Sequence, residues 1–174
     1  MSEIAVLGGG CFWCTESVFA ALKGVQQVLP GYCGGHVEHP TYEQVCMKNT
    51  GHIEVVQVVF DPDVISYETL LQVFFHTHDP CTLDRQGHDV GPQYASAIFI
   101  QSAQQRETAQ KVIEYLQPAF KESIVTRIYE AQTFWPAEGY HHEYFNRNPQ
   151  QGYCSLVIAP KIAKFRKQFA QLLA

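Results

Sequence analysis

The chain has little charge, and it lacks the segments that mark several large classes of protein. Only 17% of its 174 residues are charged and the net charge is -5, so nothing draws it globally to nucleic acid or to an anionic membrane. Its basic cluster, Lys161, Lys164, Arg166 and Lys167, reads as the solvated side of a terminal helix. No uncharged apolar stretch reaches the roughly 18 residues of a membrane-spanning helix. The run from Met1 to Leu7 has no basic residues before it and is too short for an export signal, so a soluble, cytoplasmic protein is expected. The glycine run Gly8 to Gly10 is not followed by Gly-Lys-Ser/Thr, and no G-x-G-x-x-G spacing occurs, so no phosphate loop is expected. A second close cysteine pair is also missing. His76, His78 and Asp79 beside Cys81, and the pair His141 and His142, lack the spacing of metal ligands, so no metal is expected.

What the chain does have is a dense stretch from residue 8 to residue 16, Gly-Gly-Gly-Cys-Phe-Trp-Cys-Thr-Glu. If a strand ends at Leu7 and a helix begins near Cys11, that sulfur sits among unpaired backbone N–H groups at a positive helix end. Both favour thiolate over thiol and make Cys11 a nucleophile. Cys14 follows by one helical turn on the same face, within reach of a disulfide after modest adjustment. The alternative is a pair of buried cysteines packed beside core aromatics. Six cysteines without an export signal favour redox or metal chemistry over a disulfide scaffold.

Along the chain, Ile4 to Leu7 reads as a buried strand and Thr15 to Lys23 as a helix ended by Gly24. Val25 to Leu29 reads as a second strand, followed by a flexible glycine-containing loop, Pro30 to Gly35. His52 to Phe60 is the clearest strand, rich in β-branched residues and stopped by Asp61-Pro62. Ser66 caps a helix to His76, and residues 77–93 form a long polar connection of the kind that usually carries function. Tyr94 to Gln101 and Ile124 to Ala131 read as strands, and Gln104 to Gln117 as a helix. Gly139 to Asn148 reads as a short aromatic helix, and a C-terminal helix starts near Lys161. The alternation fits one domain over residues 1–174, α/β or α+β in two layers with a mixed sheet.

Glu54 shares a strand face with His52, Val56, Val58 and Phe60. In that apolar setting a carboxyl holds its proton toward neutral pH and can act as a general acid; the alternative is an exposed edge position near the strand start. Tyr42 and Tyr94 stand at junctions where a phenol can donate into a pocket while its ring packs, and Phe12 and Trp13 could form an apolar wall for a methyl or thioether group.

Taken together, Gly10-Cys11-Phe12-Trp13, Gly51-His52-x-Glu54, Asp84-x-Gln86-Gly87-x-Asp89-x-Gly91-x-Gln93-Tyr94 and Tyr140-His141 resemble the peptide methionine sulfoxide reductase A family over nearly the whole chain. The resemblance implies an enzyme that reduces the S epimer of methionine sulfoxide, in proteins or free, with no metal or organic cofactor. It implies Cys11 as nucleophile and Glu54 as the acid on the departing oxygen, with Tyr42 and Tyr94 hydrogen-bonded to that oxygen. Phe12 and Trp13 would hold the S-methyl group, Asp89 would anchor the substrate backbone, and His141 would lie at the pocket rim. A sulfenic acid on Cys11 would then condense with a second thiol, and thioredoxin would reduce the disulfide. The fold expected with this reading is an α+β two-layer sandwich, a mixed β-sheet with flanking helices and a ferredoxin-like core.

The chain departs from the common family pattern, which has glycine at the position of Cys14, recycling cysteines in a glycine-rich tail and often an arginine where Ala95 stands. Cys14 is the first choice for the resolving thiol, Cys154 the second and Cys33 the third, while Cys46 and Cys81 read as packing thiols. Two rival readings stay open: a general Cys-x-x-Cys thiol-disulfide oxidoreductase, which would need no buried acid, and a metal-binding or thiol-sensing module.

Overall fold

Alternation along two strands sets the centre of the sheet. In β3 (Ile53–Phe60) successive side chains leave on opposite faces, so Val56, Val58 and Phe60 join one apolar cluster while Ile53 and Val55 join another. β1 (Glu3–Gly9) does the same, with Ala5 and Leu7 on the first face and Val6 on the second. The computed structural model describes residues 2–174. β2 (Val25–Cys33) and β1 pair antiparallel with β3 on its two sides, and β6 (Ser96–Phe99) pairs antiparallel with β1. β8 (Trp135–Pro136) adds an antiparallel edge on β2, and β7 (Arg127–Tyr129) a parallel edge on β6. Among the described residues the order is therefore β7-β6-β1-β3-β2-β8, a mixed sheet.

Helices cover the first face. α1 (Phe12–Ala20) brings Val18 and Phe19, α3 (Tyr67–His76) brings Leu70, Leu71 and Phe74, and α4 (Ala103–Leu116) brings Ala109 and Val112, all buried in the main cluster. Serine caps start the last two: Ser66 accepts from the Thr69 N–H at 3.1 Å and Ser102 from that of Gln105 at 3.1 Å. α2 (Tyr42–Cys46) is one short turn closed by a capping box between Thr41 and Gln44. The long connection after α3 holds a small hairpin, β4 (Arg85–Gln86) and β5 (Asp89–Val90). The architecture is α+β, a mixed sheet with flanking helices. No helix among the described residues is long and apolar enough to cross a membrane.

Several sequence expectations need correction. Pro30 to Cys33 is not loop: β2 runs on through it, with Tyr32 opposite Glu54 and fully buried. Glycine suits that strand because the Phe134 ring and the Trp135 carbonyl lie against Gly31. The strands at 94–101 and 124–131 shrink to β6 and β7, since Tyr94 ends a 3-10 turn (Pro92–Tyr94) and the ladder between them runs only from Ala97 opposite Arg127 to Phe99 opposite Tyr129, with one further bond from the Ile100 N–H to the Tyr129 carbonyl at 2.9 Å. The aromatic helix at 139–148 breaks at Glu143, whose left-handed backbone (φ 53°) separates a 3-10 turn (Gly139–His141) from α5 (Tyr144–Arg147). Cys46 is exposed and so is not a packing thiol, while Cys81 is half-buried with its Sγ donating to the Glu122 carbonyl at 3.5 Å.

A Cβ added at Gly31 would lie 2.4 Å from the Phe134 ring and 2.5 Å from the Trp135 carbonyl oxygen. Gly31→Ala is expected to cost about 1–3 kcal/mol and to lower the thermal midpoint, because the sheet edge must give way. Gly152→Ala, where nothing lies within 4 Å, is the control and should melt close to wild type.

Candidate active site

The site forms where the end of β1 meets the start of α1 above β3. Gly10, at φ 95°, makes the turn, and its missing side chain admits Gln86, which a Cβ would meet at 2.6 Å. Gln86 in turn accepts from the Asp79 N–H at 2.9 Å and donates back to the Asp79 carbonyl at 2.5 Å, pinning the long connection beside the turn. Cys11 then caps α1, its carbonyl accepting from the N–H groups of Cys14 and Thr15 at 3.1 and 3.3 Å.

Glu54 lies beneath that helix start and is 1% exposed. Its Oε1 accepts from the Phe12 N–H at 3.2 Å, while Oε2 is buried with no partner. Burial pushes its carboxyl up to about 8; the Phe12 N–H pulls the other way, and the charge of Asp89 adds to the rise. The group is therefore largely protonated at neutral pH. The structure places it in the interior, not at an exposed strand edge.

Cys11 differs from expectation. Burial and the neighbouring Glu54 carboxylate raise its thiol well above the ordinary value, and the backbone N–H of Trp13 recovers only part of that rise. The helix end does favour thiolate, but desolvation outweighs it. The resting site pairs a thiol with a carboxylic acid. Tyr42 and Tyr94 close it, both raised first by burial and next by the charge of Glu54, so both phenols keep their protons as donors.

Aromatic rings build the surrounding wall. Phe12 packs 5.0 Å from His141, 5.6 Å from Tyr32 and 6.3 Å from Tyr42, ring centre to ring centre. Trp13 stacks on Tyr144 at 3.9 Å and donates its indole N–H to Nδ1 of His141 at 2.9 Å. That bond leaves the neutral His141 proton on Nε2, which is buried and unpartnered. His141 is fully buried within the aromatic wall and is not a rim residue. Asp89, at the start of β5, accepts a hydrogen bond from Tyr153.

Cys14 and Cys154 are both buried in one small cluster with Ile158, next to Trp13, and burial pushes the Cys14 thiol up. Cys33 lies in the cluster on the opposite face of the sheet, away from Cys11. Sequence reading missed Tyr32, Tyr153 and Glu138, whose carboxylate accepts from the Tyr32 hydroxyl at 3.0 Å and from the Tyr42 N–H at 2.9 Å. A tyrosine inside an assumed loop carries no signal; read as strand, 30–33 would have placed Tyr32 beside Glu54. Among the described residues, no three His, Cys, Asp or Glu side chains gather as metal ligands would.

The family model described as peptide methionine sulfoxide reductase matches residues 3–173. Peptide methionine sulfoxide reductase MsrA of Chromobacterium violaceum is 57% identical, with 98% of each chain covered. A protein of the same name from Thermus thermophilus is 56% identical over 98% of this chain and 97% of its own. Among solved structures, methionine sulfoxide reductase A of Corynebacterium diphtheriae superposes with a TM-score of 0.82 at 33% identity, covering 86% of this chain and 76% of that one. Reduced Mxr1 of Saccharomyces cerevisiae gives 0.79 at 34% identity, covering 88% and 89%.

The Glu54 carboxyl moves from an ordinary 4.5 to about 8 on folding, so its stabilising share is full below pH 4.5 and disappears as pH rises through 8. Glu54→Gln carries no such titration. Its unfolding free energy relative to wild type is expected to improve by a few kcal/mol between pH 5 and pH 9. Denaturant melts across that range test this, and a pH-independent difference would contradict the buried-acid assignment.

Proposed function

Because this chain belongs to the peptide methionine sulfoxide reductase A family, we propose that it reduces the S epimer of methionine sulfoxide, free or in proteins, with thioredoxin as final reductant. The observation that carries the reading is Glu54, a buried acid beside a cysteine. Its Oε1 is committed to the Phe12 N–H, so its proton belongs on the unpartnered Oε2, free to be given to an incoming oxygen. A disulfide exchanger has no use for such a proton. Sulfoxide reduction does, because the oxygen must finally leave as water.

In this reading the Cys11 sulfur attacks the sulfoxide sulfur while Glu54 protonates the oxygen and Tyr42 and Tyr94 donate hydrogen bonds to it. As a carboxylate, Glu54 then receives the thiol proton, so no net proton is consumed. The protonated oxygen then passes to the Cys11 sulfur as its S–O bond and the new S–S bond both break, so Cys11 is left as a sulfenic acid and methionine, reduced by two electrons, leaves. Phe12 and Trp13 hold the S-methyl group, and Asp89, positioned by Tyr153, anchors the substrate backbone. Cys14 condenses with the sulfenic acid, releasing water and forming a Cys11–Cys14 disulfide that a thioredoxin dithiol reduces by exchange. Support for Cys14 comes from its position one turn along α1 from Cys11; Cys154, in the same buried cluster, is the second choice.

The same reading makes residues 1–174 one catalytic domain working in the cytoplasm, without metal or organic cofactor. The family match over residues 3–173 supports the single domain, and six free cysteines suit a reducing compartment. A ferredoxin-like core is supported by the order β6-β1-β3-β2 with antiparallel neighbours and by α1 and α3 packing on one face.

Two measurements test the proposal. With dithiothreitol and separated epimers of methionine sulfoxide, only the S epimer should be consumed, and Glu54→Gln should lower kcat by about 10²–10⁴. An unchanged kcat would remove the acid role and favour general thiol-disulfide exchange. After one turnover without reductant, peptide mapping should find Cys11 linked to Cys14; a link to Cys154 with Cys14 free would overturn that step.

A further inference from the structure

Besides Glu54 on β3, α1 carries a buried carboxyl of its own, Glu16, 2% exposed and unused by the chemistry above. Its two oxygens accept from one backbone N–H, that of Glu143, at 2.8 and 3.0 Å. Glu143 is the left-handed residue that joins the Gly139–His141 turn to α5. On one side of this joint His141 accepts the Trp13 indole N–H, and on the other Tyr144 lies flat on the Trp13 ring, at 7° between planes. Arg147 holds the same turn through the carbonyls of Tyr140 and His142, at 2.7 Å each.

We infer that Glu16 is a positioning residue for substrate selection: by gripping the Glu143 N–H it holds a strained joint in place, and so keeps His141 and Tyr144 seated on Trp13. The inference rests on the reading that Trp13 walls the methyl pocket. A left-handed non-glycine residue persists only where its surroundings enforce it, and a charged acceptor on its N–H is such a restraint. Loss of the grip loosens the wall, not the sulfur chemistry, so the effect falls on KM.

The grip is also titratable. Burial pushes the Glu16 carboxyl up to about 7; the Glu143 N–H and the Arg147 guanidinium draw it down, and the Glu143 carboxylate adds to the rise. His142 also lines the shallow cavity of about 360 Å³ over Glu16, while β2 brings only the uncharged residues Val25 to Leu29. Protonation leaves a neutral, weaker acceptor, so the wall loosens as pH falls through 7.

The test uses the full chain with dithiothreitol as reductant. Glu16→Ala should raise KM for methionine (S)-sulfoxide about tenfold with kcat within about twofold. Glu16→Gln, which keeps a neutral acceptor, should show a KM about threefold above wild type at pH 8, equal to the wild-type value at pH 6 and flat between. Tryptophan fluorescence should report a transition near pH 7 in wild type that Glu16→Gln lacks. Should Glu16→Ala fail to fold, the Gln variant decides alone. A fluorescence transition or KM slope that persists in Glu16→Gln overturns the inference, as does a loss confined to kcat. Failure of the enzyme reading looks different: wild type would turn over neither epimer, while the fluorescence titration would still report the grip.

Discussion

The bond from the Phe12 N–H to the Glu54 carboxyl ties the central strand of the sheet to the first turn of α1, and the rest of the site is arranged around it. A carboxyl buried this deeply would be a liability as an ion. Here one oxygen is satisfied by a helix N-terminus and the other keeps a proton, so the group is tolerated and remains useful. The glycines before Cys11 follow from the same constraint. A side chain at Gly8 would meet Ile53 at 2.9 Å and the Glu54 carbonyl at 3.2 Å, so the approach of β1 to β3 at this end needs a residue without one.

The second constraint is the aromatic wall, whose members come from distant parts of the chain. Phe12 and Trp13 belong to α1, Tyr42 to α2, and His141 and Tyr144 to the segment after β8. Polar ties hold these rings in register: Glu138 spans Tyr32 and the α2 backbone, and His141 accepts a hydrogen bond from the Trp13 indole N–H. Each tie crosses close to a hundred residues or more of sequence, so the site exists only once the sheet has formed. His52 shows the same economy further out: its Nδ1 accepts from the Gly35 N–H at 3.0 Å and its Nε2 donates to the Val37 carbonyl at 2.6 Å, fixing the chain after β2 next to the strand that carries Glu54.

These ties also explain the difference between Cys11 and a simple Cys-x-x-Cys pair. The helix end that should favour its thiolate is present, yet the protein interior and Glu54 hold the proton on. In the proposed reaction a thiol next to an acid of this kind suits a substrate that brings its own oxygen to be protonated, since sulfur attack and proton transfer would then proceed together.

Local chemistry made much of this legible before any coordinates. The β-branched run at 53–60, the serine cap of α3 and the glycine turn before Cys11 are set by short-range sterics and hydrogen bonding, and alternation alone put Glu54 on the apolar face of its strand. Burial depth and distant partners were not legible, because both depend on how elements far apart in sequence come together. Only the tertiary structure decided that Pro30 to Cys33 is strand, since Phe134 and Trp135 cover it. It also decided that Cys11 rests as a thiol, since desolvation is a property of the assembled interior, and that Glu16 meets the N–H of residue 143. The sequence by itself determined which groups could do the chemistry; packing determined their protonation and what holds them in place.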